Sequence, residues 1–347
     1  MMGAARFAFG LLFLAVFLWG CGSAAHYEKS LLVMDTVVSL SAFGDGGREA
    51  VEESEAWLRE FDVLVSPRGE GSQVACLADM AGKGYVQLHP EVYRMLELSQ
   101  EYSRRTEGAW DVTAGPLTEL WGIGTDRARI PLPEEIAAAR KLVGWQHLLL
   151  RPEDGSAMLE FPGMSLSLGG IAKGFAVDRV RQIYEKHGVR SGLINMGASS
   201  MYALGQKENH SWNIGLRHPR KEGDGVYLTV IPLKDQALST SGDYERFLER
   251  DGKRYPHIMD PATGCPADSG VMSVTVVVDG SIPEAGTLSD LLTTAVFVLG
   301  PEKGKALLDS LPEEIRGCIL GSDYGIRSSH GFLEETEGVG EDFHPAP

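Results

Sequence analysis

The run Ser167-Leu168-Gly169-Gly170-Ile171-Ala172-Lys173-Gly174 leads apolar residues into a glycine-rich turn and then a lysine. Glycines let backbone N–H groups approach a ligand closely, and a helix beginning near Lys173 would favour an anion at its head. A lysine at that place can neutralise a phosphate. The pattern is neither a Walker A motif nor GxGxxG, and a tight strand-to-helix turn with a surface lysine accounts for it equally well. Further along, Ser289-Asp290-Leu291-Leu292-Thr293-Thr294 opens an apolar helix. Asp290 and Thr294 are four residues apart and so share a helix face. A carboxylate, a hydroxyl and a backbone carbonyl are hard oxygen ligands that suit Mg²⁺, which fills its other positions with phosphate and water. The plainer account has Asp290 favouring the helix N-terminus and Thr294 packing in the core.

Two further segments carry polar side chains in turns. Leu238-Ser239-Thr240-Ser241-Gly242-Asp243-Tyr244 reads as a polar turn of small residues after a strand. His257-Ile258-Met259-Asp260-Pro261 sets a histidine before an Asp-Pro turn. A histidine beside a metal-bound phosphate can serve as general base, and one in a turn can also be purely structural. Gly108-Ala109-Trp110-Asp111 continues through Gly115-Pro116 to Trp121-Gly122-Ile123-Gly124. An acid buried there could hydrogen-bond a planar heterocycle or cap a helix, and spacing alone does not choose.

The elements that must hold these residues follow from periodicity. Leu31–Phe43 alternates and reads as a strand, after a polar tether over residues 22–30. Arg48–Val65, Pro90–Arg105, Pro133–Leu142 and Lys173–His187 have helical spacing, as do Ser289–Leu299 and Glu302–Ser310. Strands are expected at Gly192–Met196, Trp212–Leu216, Tyr227–Leu233, Val271–Val278 and Arg316–Leu320. Glu334–Pro347 is acidic and reads as a loose tail. Strands and helices mix without a βαβ rhythm, so the class is α+β.

The chain has 347 residues, 43% of them hydrophobic, which is ample for a packed core and excludes a disordered chain. Its 32 Lys and Arg against 48 Asp and Glu give a net charge of -16. Such a surface repels phosphate backbones and argues against nucleic-acid binding, while leaving room for a nucleotide in a locally positive pocket. The first residues carry a basic start at Arg6, an apolar run from Phe7 to Trp19, and then Gly20-Cys21. That run has the length of a secretion signal and is short for a membrane span. Leu18-Trp19-Gly20-Cys21 resembles a bacterial lipobox, in which cleavage before the cysteine is coupled to acylation. Residues 1–20 then form the signal, and Cys21 carries the lipid. Trp19 departs from the usual small residue, and an ordinary signal peptide is the alternative. Cys76, Cys265 and Cys318 remain, allowing at most one disulfide.

Taken together and in order, Leu168–Gly174, Ser239–Gly242, His257–Pro261 and Asp290–Gly300 resemble the ApbE family of FAD:protein FMN transferases. The resemblance runs from about Met34 to about Gly300. It implies a single domain over residues 31–333, with mixed, largely antiparallel sheets flanked by helices. It implies FAD in an extended groove with Mg²⁺ on its pyrophosphate, the metal held by the Ala172 carbonyl, the Asp290 carboxylate and the Thr294 hydroxyl. Lys173 would face the nucleotide, and Met34, Gln73, Val74, Ala75, Asp111 and Ile258 would contact the cofactor. Ser167 stands where the family often has Asp, and Asp35 where it often has Gly. The activity implied is transfer of FMN from FAD to a threonine hydroxyl of a target redox protein, with AMP released and His257 as base. The acceptor would be an extracytoplasmic membrane redox subunit. FAD hydrolysis to FMN and AMP, and lipid-anchored flavin storage without turnover, are the alternatives.

Overall fold

The computed structural model describes residues 25–346 apart from 222, 224 and 225; the expected signal and Cys21 lie outside the described residues. One nine-stranded sheet organises them. Its strands run in chain order from edge to edge: β1 (His26–Val33), β2 (Thr36–Phe43), β3 (Ser191–Met196), β4 (Ser200–Leu204), β5 (Gln236–Gly242), β6 (Val271–Asp279), β7 (Ile315–Gly321), β8 (Gly325–Ser328) and β9 (His344–Pro345). Neighbours pair antiparallel except β8 with β9. The helices are α1 (Gly47–Val65), α2 (Gln73–Asp79), α3 (Pro90–Arg105), α4 (Gly115–Trp121), α5 (Pro133–Arg140), α6 (Ala172–Lys186) and α7 (Ala285–Asp309). This is the α+β single domain that the sequence implied.

Alternation along the central strands gives the sheet two buried faces. Val274, Val276 and Val278 of β6 join Phe61 of α1, Tyr184 of α6 and Leu291 and Phe297 of α7 in one core. Met272 and Val277 of the same strand face a second core with Leu238, Leu320, Phe332 and Phe343. That second face is covered by the ribbon Trp212–Arg217/Tyr227–Leu233 and by the C-terminal segment. The expected loose tail therefore packs: Phe343 is buried, and Val339 bridges Thr229. Its acidic residues hid two apolar anchors that the sheet face needs.

Leu31–Phe43 is two strands rather than one, with Met34 and Asp35 as a two-residue turn at φ 54° each. Both residues lie in the left-handed region, where hairpin turns usually place Asn, Asp or Gly. With Met34 in the first place and no Gly in the second, the turn left little mark in the sequence. β1 also begins at His26, inside the expected tether. The Ser239–Ser241 run is a strand, not a turn. Its hydroxyls are satisfied across the sheet and by α7, with Ser239 Oγ 2.8 Å from Ser289 Oγ, Thr240 Oγ1 2.9 Å from Thr275 Oγ1, and Ser241 Oγ donating to Thr293 Oγ1 at 2.9 Å.

The head of α7 lies deeper than expected. It starts at Ala285, and the expected break between its two halves is a kink at Gly300, φ 81°. Asp178 of α6 accepts from Gly286 N, Thr287 N and Thr287 Oγ1 at 2.8, 2.8 and 2.7 Å, satisfying N–H groups a helix start leaves open. Burial pushes this carboxyl up to about 6. The helices α6 and α7 meet at a glycine pair: a Cβ on Gly174 would lie 2.2 Å from the Gly286 carbonyl oxygen and 2.7 Å from Asp290 Cβ. Neither backbone can yield. Gly174→Ala is expected to cost about 1–3 kcal/mol, the usual range for overpacking. A thermal melt at parent stability would show that the crossing is looser than this.

Candidate active site

The crossing of α6 and α7 sets the first part of the site. Gly174 N–H donates to Asp290 Oδ2 at 2.9 Å, so the glycine-rich turn and the carboxylate of α7 are joined directly. Asp290 is 4% exposed, and burial raises its pKa, opposed by the nearby Lys173 ammonium and by the Gly174 N–H. Ser200 of β4 sits beside the same carboxylate, fully buried. On the next turn of α7, Thr294 lies against Gly170, where a Cβ would come within 2.6 Å of Thr294 Oγ1. Residues 170 and 174 thus touch Thr294 and Asp290, and Ala172 lies between them in the chain. The same Gly170 is walled by Trp110, whose Cζ3 would be 2.9 Å from a Cβ there.

His257 completes the constellation. Its backbone N–H and Nδ1 both meet the Arg246 carbonyl oxygen, at 3.0 and 3.1 Å. A carbonyl only accepts, so Nδ1 carries the proton and Nε2 keeps its lone pair. Burial lowers the His257 pKa to about 4, with the Lys173 ammonium adding to the shift. Lys173 therefore acts on both Asp290 and His257, which places three of the four sequence segments at one locus. Lys173 Nζ is 3.4 Å from the Gly169 carbonyl oxygen and has no carboxylate partner among the described residues.

The donor chemistry fits a hard cation. Among the described residues no three His, Cys, Asp or Glu side chains gather as a metal cluster. One buried carboxylate with a hydroxyl one turn away is too sparse a set for zinc and suits an ion that keeps phosphate and water ligands. The charge on Asp290 is costly to bury, and beside the Gly174 N–H and Ser200 the Lys173 ammonium is the one cation that offsets it among the described residues, which is the circumstance a bound cation relieves.

Residues 34–319 match the ApbE family. The chain belongs to the ApbE family. It is similar to a Treponema pallidum FAD:protein FMN transferase, 33% identical over 337 residues with 91% of each chain covered. Among solved structures it is similar to the Thermotoga maritima ApbE protein, with a TM-score of 0.81 and 30% identity over 90% of this chain and 100% of that one. The apo form of Pseudomonas stutzeri flavinyl transferase ApbE gives a TM-score of 0.78 and 28% identity, covering 92% of this chain and 99% of the other.

Other expected contacts of this ApbE-family chain stand at varying distance from that centre. Asp35, next to Met34 in the hairpin turn, accepts from Arg246 Nη2 at 3.1 Å through its carbonyl, which brings the turn beside His257. Ile258 is buried directly after His257. Asp111 has both oxygens engaged: Oδ1 accepts from Thr113 N and Oγ1 of its own loop at 2.8 and 2.6 Å, and Oδ2 from Trp145 N, beyond α5, at 2.9 Å. These bonds join two loops rather than cap α4, whose N-cap Ala114 makes no side-chain bond, and the Asp111 loop is tied to the glycine-rich segment through Ser167 N and the Val112 carbonyl. Gln73, Val74 and Ala75 form the first turn of α2, which sequence periodicity missed. Gln73 Oε1 accepts from His89 N, Val74 is buried, and Ala75 N donates to the capping Ser72. No hydrogen bond among the described residues links this turn to Lys173, Asp290 or His257.

Two surface concavities flank the centre without containing it. One of about 410 Å³ lies between α3, α6 and the head of α7, and its arginines are engaged by Arg94–Glu284 and Arg179–Glu91 pairs. The other, about 320 Å³, is walled by Trp121, Tyr255, Pro256 and Asp260 and adjoins His257 in sequence. The three cysteines Cys76, Cys265 and Cys318 are free.

Proposed function

We propose that this protein is a Mg²⁺-dependent FAD:protein FMN transferase. The observation that supports it most is the meeting of Asp290 and Thr294 with the Leu168–Gly174 turn, beside a histidine whose Nε2 has no hydrogen-bond partner among the described residues. The names of its relatives point to the same activity.

In the reaction a threonine hydroxyl of the acceptor attacks the FMN phosphorus of FAD. The new bond is a phosphoester, and the bond broken is the bridging P–O bond to AMP, which leaves as a phosphate monoester. His257 Nε2 takes the hydroxyl proton, because an unassisted alcohol is a weak nucleophile. Lys173 and the backbone of residues 169–172 hold the pyrophosphate. The Ala172 carbonyl, Asp290 and Thr294 would hold Mg²⁺, whose charge neutralises the phosphate oxygens. Met34, Gln73–Ala75, Asp111 and Ile258 line the flavin and nucleotide in this reading. Following AMP and protein-bound FMN after mixing with FAD, Mg²⁺ and an acceptor tests it. AMP with free FMN alone would mark a hydrolase, and no AMP at all a binding protein.

The acceptor in this reading is an extracytoplasmic membrane redox subunit carrying the threonine. The protein itself is anchored on the extracytoplasmic face of a bacterial membrane by lipid on Cys21. Stable anchoring takes at least two acyl chains, and Cys21 is the residue that sits in a lipobox-like run. Cys21→Ser is expected to release the protein from membranes or leave its signal uncleaved, with the soluble chemistry intact. A processed Cys21→Ser chain that still fractionates with membranes would rule the anchor out.

A further inference from the structure

We propose that Arg246 is a positioning residue for His257, tying the segment that carries the histidine to the Met34–Asp35 turn. The inference rests on His257 being the base proposed above. Arg246 immediately precedes the strand Phe247–Arg250, and its partner strand Lys253–Pro256 ends immediately before His257. Phe247 pairs with Pro256, so Arg246 and His257 form the next rung. Both protons that fix the histidine, on its backbone nitrogen and on Nδ1, end on the one carbonyl oxygen of Arg246. Wherever that oxygen goes, the ring goes.

The ribbon does not hold that oxygen by itself. It is two strands with no third neighbour, and an isolated hairpin is marginal. Packing of Leu248 and Tyr255 against Leu117 and Trp121 seats the ribbon on the body of the protein, and polar ties fix its register there. Upstream, Arg220 grips both oxygens of Asp243 at 2.7 and 2.6 Å. At the rung itself, Arg246 Nη2 donates to the Asp35 carbonyl at 3.1 Å, and its stem crosses Gly124, where a Cβ would lie 3.0 Å from Arg246 Cδ. Arg246 forms no ion pair among the described residues, so charge neutralisation does not explain it. Its guanidinium is exposed and reaches a backbone carbonyl of a strained turn instead.

The test compares Arg246→Met and Arg246→Lys with the parent. It reads AMP release from FAD, the KM for FAD, the melting temperature, and the ¹⁵N resonances of the His257 ring. Methionine keeps the stem and removes the N–H groups; lysine keeps one donor. Misplacing a catalytic group by about 1 Å costs roughly 10²-fold, so Arg246→Met is expected to lower kcat by about 10–10²-fold with little change in KM. The Nδ1–H form of His257 should no longer be the sole tautomer, and Arg246→Lys should recover part of both. An exposed arginine contributes little to global stability, so the melting temperature should hold. Parent kcat and parent ring resonances in Arg246→Met would overturn the proposal, as would KM and melting temperature failing in step with kcat. If His257→Ala kept the parent rate, the base reading would fall, and the ring resonances would still decide whether Arg246 sets the ring.

Discussion

Asp290→Asn is expected to leave the protein folded and at least as stable, and to remove its Mg²⁺-supported activity. The amide oxygen can still accept from Gly174 N–H, which now reaches Oδ2 at 2.9 Å, so the α6–α7 crossing keeps its hydrogen bond. What disappears is a negative charge in a buried place. Burial raises the Asp290 pKa, which means that the ionised form is the disfavoured one in the protein alone. Neutralising it should therefore not lower the melting temperature in the absence of metal. The same change takes away the one formal charge among the expected oxygen donors, since the Thr294 hydroxyl and the Ala172 carbonyl carry none. Metal-supplied charge stabilisation is worth several kcal/mol, roughly 10²–10⁴-fold in rate, and that is the expected loss. Asp290→Ala should lose as much activity and, by leaving Gly174 N–H unpaired, some stability as well. A second readout does not depend on turnover. Mg²⁺ that binds only the folded parent raises its melting temperature with concentration, and Asp290→Asn should be indifferent to it. Equal activity of variant and parent at the same free Mg²⁺ would remove Asp290 from the metal site.

The sequence made the chemistry at this site more legible than the geometry. Asp290 and Thr294 share a face because a helix repeats near four residues, and the helix was visible from its apolar run. The glycines at 170 and 174 were visible as a cluster. Their separate tasks, one against Thr294 and Trp110 and the other against Gly286 and Asp290, required knowing which helices cross. Asp178 drew no notice in the sequence, yet it holds the head of α7, a helix more than 100 positions on. Long-range satisfaction of this kind leaves no periodic trace. The strand Gln236–Gly242 was hidden because its serines and threonines look like turn residues until their partners in α7 and β6 are known. The Met34–Asp35 turn was hidden for the opposite reason: Met34 is not a residue a left-handed turn selects, and Asp35 alone does not mark one. Arg246 carried no local signal at all, since its importance comes from an antiparallel rung eleven residues wide.

His257→Gln is expected to slow FMN transfer by about 10²–10⁴-fold, the contribution of a positioned general base, while FAD affinity changes little. The pyrophosphate would still have Lys173 and the glycine-rich turn. The pH profile of the parent provides the sharper discrimination. An unshifted histidine titrates near 6.5, and the sequence alone would place the rise in rate there. In the folded protein burial and the Lys173 ammonium hold His257 at about 4. A base with so low a pKa is already unprotonated at neutral pH, so kcat/KM, which reports the free enzyme, should be flat above about pH 5 and fall below it as Nε2 takes a proton. Stability should follow the same group with its own sign. The unfolded chain binds this proton near 6.5 and the folded one only near 4, so the unfolded state holds more protons between those values. Stability is therefore present above about 6.5 and declines as pH falls toward 4, and His257→Gln should flatten that decline. A histidine that merely braced the Asp260-Pro261 turn would behave otherwise. Losing a bracing histidine would lower melting temperature and FAD binding together and leave the pH profile of the residual rate unchanged, and Asp260 already secures that turn without it by accepting from Ala262 N and Thr263 Oγ1, each at 2.9 Å. Loss of binding in proportion to loss of rate would thus reject the base. Asp243 would be a poor replacement, since both its oxygens are held by Arg220, and the proton would then have to leave through solvent.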